Sequence, residues 1–102
     1  MEPRPEEEAV RPVTLMLAGP CPAHSVVQLR LVLRRSERVH VGVYDLFGRR
    51  VRTLLDGTVA AGTTALSWDG HADRGSLASS GVYFARATWG SGRATLRIPL
   101  VR

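Results

Sequence analysis

The side chains that could do chemistry in this chain are few: one cysteine, three histidines, two aspartates in one loop and a cluster of arginines. Cys21 and His24 stand three apart, a spacing at which a base could take a thiol's proton. Pro22 between them, and the turn around them, argue instead for a small buried thiol. The run Asp69-Gly70-His71-Ala72-Asp73-Arg74-Gly75-Ser76 offers spaced oxygen ligands of the kind calcium takes. It lacks the alternating acids and closing glutamate of an EF-hand loop, and Arg74 interrupts it. A turn held by Asp side chains is the expected reading. His24, His40 and His71 fall on different elements with no ligand-like spacing. Gly90-Ser91-Gly92 is followed by no helix, so it is a hairpin turn and not a phosphate loop. Arg49, Arg50 and Arg52 crowd a hairpin tip, where they are solvated or meet an acidic partner. No catalytic residue, metal or cofactor is expected, and the chain does not read as an enzyme.

Length supports that expectation. At 102 residues the chain forms one domain with one core and little room for a deep cleft. All 14 basic residues are Arg, and the formal net charge is +5. The charge is uneven, because beyond Pro12 there are twelve Arg against five acids. Such a domain could meet nucleic acid or an anionic surface. The arginines are nevertheless spread over strands and turns without an aromatic stacking pattern, so a protein partner is expected and nucleic acid is not. A lone Cys21 excludes an intrachain disulfide. No stretch approaches the roughly 18 apolar residues needed to cross a bilayer, so no membrane insertion is expected. The opening Met-Glu-Pro-Arg-Pro-Glu-Glu-Glu lacks the basic start and apolar centre of a signal peptide.

The elements that must position these residues read as strands. Residues 1–12, with three prolines and a Glu triplet, form a lead-in or linker. From Val13 onward, apolar residues recur every second position. Val13 to Ala18 makes a first strand, stopped by Gly19-Pro20-Cys21-Pro22. Val27, Leu29, Leu31 and Leu33 face one way in the second. Val39, Val41 and Val43 alternate with His40, Gly42 and Tyr44, which puts His40 on an exposed face. Asp45-Leu46-Phe47-Gly48 turns the chain, with Gly48 free to take a positive φ, and Val51 to Leu55 returns. Asp56-Gly57 is expected to start another turn. Thr63 to Trp68, Gly81 to Trp89 and Arg93 to Val101 complete about seven strands, with a long loop from Asp69 to Ser80. Two antiparallel sheets packed face to face, an all-β sandwich over residues 13–102, are the expected solution. Pro99 cannot donate to a ladder, so the last strand should lie at an edge.

Three runs stand out in this frame: Val43-Tyr44-Asp45-Leu46-Phe47-Gly48-Arg49-Arg50-Val51, then Trp68-Asp69-Gly70, then Gly81-Val82-Tyr83-Phe84. Tyr44 and Tyr83 are expected to fill the sandwich with their hydroxyls at its rim, and Trp68 to plug the core. In this order and spacing, with the basic close Arg93 to Arg102, the runs resemble the C-terminal sorting domains of type IX secretion cargo. They are also similar to the related immunoglobulin-like domain of flagellar hook-capping proteins, which implies an immunoglobulin-like antiparallel β-sandwich. The resemblance implies a non-catalytic domain of a larger secreted or surface protein, monomeric by itself and read by secretion machinery. It maps Gly81, Tyr83 and the segment Arg97 to Arg102 onto the family's late G-x-Y element and basic last strand. With Arg93 these are the candidate recognition residues. The alternative is a structural scaffold that resembles the hook-cap module. Tyr44, Asp45, Gly48, Trp68, Asp69 and Gly70 are expected to specify turns and core.

Overall fold

Alternation becomes seven strands because each side chain on one face of a strand can be buried while its neighbours stay wet. The computed structural model describes residues 12–20, 23–90 and 92–102. Its strands are β1 (Val13–Leu17), β2 (Val27–Leu33), β3 (Glu37–Tyr44), β4 (Arg50–Val59), β5 (Gly62–Trp68), β6 (Gly81–Trp89) and β7 (Gly92–Leu100). They form two sheets, β1-β2-β5 and β4-β3-β6-β7, with every neighbouring pair antiparallel. The expected immunoglobulin-like sandwich is the fold.

The core lies between the inward rows. Val27, Leu29, Leu31 and Leu33 from β2 face Val39, Val41 and Val43 from β3, with Tyr83, Ala85 and Ala87 from β6 and Ile98 and Leu100 from β7. Each fully buried Leu, Ile or Val stabilises the sandwich by about 1.5–3 kcal/mol over an exposed one. Trp68 closes β5 with no exposed surface, as its size suggests.

Two expectations need correcting. β4 runs on through Asp56-Gly57 to Val59, where His40 pairs with Asp56 and Val39 with Gly57. An eight-residue β3 needs partners along its whole length, and that pairing overrides the local turn preference of Asp-Gly. The bend falls at 60–61, where the chain crosses to the other sheet. Tyr44, for its part, does not fill the sandwich. It pairs with Phe84 opposite the inward Val43 and lies half-buried on the outer face of the four-stranded sheet.

β7 is an edge strand, as Pro99 requires. The other edge of that sheet, β4, is protected along its first half. It carries register irregularities beside Leu54 and Val51. A loop also covers it, because Asp73 donates its N–H to the Val51 carbonyl (2.8 Å) and accepts the Thr53 N–H on Oδ1 (3.2 Å). Bulges and covering loops are standard protection against unwanted strand pairing.

Candidate functional site

The signature residues build one end of the sandwich. Asp45 caps the β3–β4 turn: its Oδ1 accepts the N–H groups of Phe47 (2.9 Å) and Arg49 (3.0 Å). Its Oδ2 accepts the Arg49 Nε–H at 2.9 Å. Gly48, at a φ of 80°, supplies the left-handed residue that returns the chain into β4. The tip leaves Leu46 and Phe47 exposed, with the Arg49 guanidinium 5.3 Å from the Phe47 ring centre. Desolvation works to raise the Asp45 pKa, but the Arg49 and Phe47 N–H groups and the Arg49 charge together hold it below its ordinary value. A carboxyl lowered by folding stabilises the native state above its unfolded pKa and loses that contribution as pH falls through the native one. The stability difference between the wild type and Asp45→Asn should therefore shrink between about pH 6 and about pH 2, as chemical denaturation at each pH would measure.

The loop between β5 and β6 is tied down from three sides. Trp68 donates its indole N–H to the His71 carbonyl at 2.9 Å. Tyr83, packed edge-on against Trp68 at 5.1 Å, donates its hydroxyl to the Ser79 carbonyl at 2.7 Å. Arg102 donates from Nε to the Ala78 carbonyl (2.5 Å) and from Nη2 to the Gly70 carbonyl (2.6 Å), while its backbone N–H reaches Ser80 Oγ (2.9 Å). Among the candidate recognition residues, Tyr83 is thus buried and Arg102 is committed to the chain's own carbonyls. Gly81 is exposed and opens β6 opposite Leu100. A partner could feel Tyr83 and Arg102 only through the loop that they position.

The aspartates of this loop face arginines. Asp69 Oδ1 accepts the His71 N–H (3.0 Å) and lies 3.5 Å from Arg52. Asp73 lies 3.8 Å from both Arg50 and Arg52. The His71 N–H holds the Asp69 carboxyl below its ordinary range, aided by Arg52 and opposed by desolvation. This is the Asp-held turn expected from the sequence. Among the described residues, no three His, Asp or Glu side chains gather as a metal site would need. His24 is exposed, and His40 lies on the outer face of the four-stranded sheet. Cys21 lies outside the described residues.

The remaining candidates, Arg93 and Arg97, stand on the open edge. The Pro99 carbonyl accepts the Ala23 N–H (3.2 Å), and the Val101 N–H reaches the Ala23 carbonyl (2.8 Å). Odd-numbered residues of β7 therefore point their backbone groups away from β6, because the direction alternates along an antiparallel strand. Ala23 closes the lower end of this edge. The N–H and C=O groups of Arg93, Thr95 and Arg97 lie above it, with no neighbouring strand in the sheet among the described residues. Their side chains are exposed on the outer face. Hydrogen exchange should read this alternation directly. The amides of Thr95 and Arg97 should exchange far faster than those of Leu96 and Ile98, and equal protection would place the alternation elsewhere.

Charge gathers on the same face. Arg38, Arg86, Arg93 and Arg97 project from its strands. Arg86 lies over Tyr44, 4.8 Å from the ring centre.

Comparison with known proteins places this geometry. The sequence pattern of the FlgD Ig-like domain family matches residues 12–92. The chain belongs to that family. The match to the FlgD Ig-like domain ends at the first residue of β7, so Arg93 and Arg97 lie beyond it. The fold is similar to part of the crystal structure of dimeric latent PorU from Porphyromonas gingivalis, with a TM-score of 0.68 and 20% identity. The similarity covers 90% of this chain and 10% of that one, so this FlgD-type domain spans a small part of its structural relative. No curated protein sequence matches it.

Proposed function

We infer that this domain is a non-catalytic recognition module of an exported or surface protein, read by secretion machinery that adds a strand to β7. The observation that carries the reading is the open row of backbone groups at Arg93, Thr95 and Arg97, flanked by exposed cations, on a sheet whose other edge is protected along half its length. Strand addition uses such groups for affinity and the neighbouring side chains for specificity. The similarity to a tenth of a larger polypeptide supports a module among other domains. The family's name supports a second reading, a structural scaffold that contributes assembly contacts and no sorting.

Deleting residues 93–102 separates these readings poorly, because the deletion also strips Ile98 and Leu100 from the core. Thr95→Pro is the sharper variant. The Thr95 N–H points away from β6, in the same orientation as the position Pro99 already occupies, so proline removes an outward donor and spares the ladder. Fused behind an exported reporter in a host with such machinery, the variant should keep its thermal unfolding midpoint within a few degrees and lose export by about tenfold or more. Full export of the folded variant would reject recognition at β7.

A further inference from the structure

The open edge also specifies what could pair with it. Residues facing each other across two strands share a face, so residues opposite Arg93, Thr95 and Arg97 on an added strand would share their outer face. Arg93 and Arg97 are four residues apart, about 13 Å along a strand. Neither has an ion-pair partner among the described residues. Residues of the added strand that alternate with these point the other way, into the seam between β1 and β7. That seam is a groove of about 490 Å³, in which Leu15, Trp89 and Ala94 supply apolar lining and Thr14, Arg93 and Thr95 the polar part. It is open because β1 and β7 belong to different sheets and do not pair.

We propose that the partner of this edge is an extended protein segment with acidic residues four apart and apolar residues between them. The acids meet Arg93 and Arg97 on the outer face, a small or hydroxyl residue faces Thr95, and the apolar side chains enter the seam. The pattern reads the same in both directions, so it fits a parallel or an antiparallel added strand. Charge complementarity selects an acidic partner over a basic one, since Arg38 and Arg86 extend the positive field across the same sheet. This inference rests on the strand-addition reading above and adds the chemistry of the added strand.

The test uses the whole chain, labelled for amide NMR, and a synthetic nine-residue peptide with Glu at positions 3 and 7, Val at 4 and 6, and Thr at 5. Titration at low salt should shift the amides of Arg93, Thr95 and Arg97 first. Replacing both peptide glutamates by Gln, or Arg93 and Arg97 together by Gln, should weaken binding by about fivefold. Exchanging the Glu and Val positions should abolish it, because a one-residue slip sends the acids into the seam. If the Gln peptide binds as well as the Glu peptide, and Thr95→Pro stops both, the edge stands and the acidic partner is refuted. If Thr95→Pro binds the Glu peptide unchanged, strand addition at β7 is itself refuted, and this inference falls with it.

Discussion

Trp68→Ala should destabilise the domain by about 3–5 kcal/mol, a large part of the whole stability of a domain this size. Three losses combine. The largest buried side chain leaves a cavity at the end of β5, where it has no exposed surface. The edge-on contact with Tyr83, at 5.1 Å, disappears. The His71 carbonyl loses its indole donor. In thermal unfolding the midpoint should drop by on the order of 20 °C. Trp68→Phe separates the first loss from the third, since the ring still fills most of the space but donates nothing. It should cost about 1–2 kcal/mol, the scale of one hydrogen bond lost beside a carbonyl with few other donors. If Trp68→Phe proves as damaging as Trp68→Ala, the indole bond and not the packing is the main support of this end.

The strands were legible because alternation is written locally. Val27 to Leu33 and Val39 to Val43 carry their facing in their own spacing, and Pro99 marks an edge through its missing N–H. The same alternation also places Tyr44 outward, since it stands one residue from the inward Val43. The bulk of an aromatic ring argues for the core, but the period outweighs it, and the Arg86 guanidinium lies over the ring on the outer face. Other features had no local signature. Arg102 meets carbonyls 24 and 32 residues away, and Asp73 covers β4 from 20 residues away. Nothing in the spacing of either residue announces the contact. The open edge lies between these cases. The exposed Arg93 and Arg97 were visible in the sequence, but which backbone groups face outward depended on the bridge from Ala23 to Leu100.

Gly70→Ala should be the second most damaging single change, at about 2–4 kcal/mol, although it adds only a methyl group to a loop. Gly70 has a φ of 78°, where an L-residue costs roughly 1–2 kcal/mol. Its neighbour Gly75, at 91°, supplies the control, because a methyl group there would meet nothing within 4 Å. Gly75→Ala should show the conformational cost alone. At Gly70 the new methyl would also lie 3.0 Å from the Ser25 carbonyl oxygen and in the space of the Arg102 guanidinium. To escape, Arg102 must leave the carbonyls of Gly70 and Ala78, and the Gly70 carbonyl also holds the Ala78 N–H at 2.8 Å. The loop's closure is thus lost together with the clasp. A double-mutant cycle with Arg102→Ala isolates this coupling. In the Arg102→Ala background, Gly70→Ala should cost less than in the wild type but still more than Gly75→Ala, because the Ser25 carbonyl oxygen stays 3.0 Å from the new methyl, and the Ala78 amide should already exchange faster. Strictly additive effects would mean that the arginine and the glycine act independently, and that Arg102 remains available to a partner.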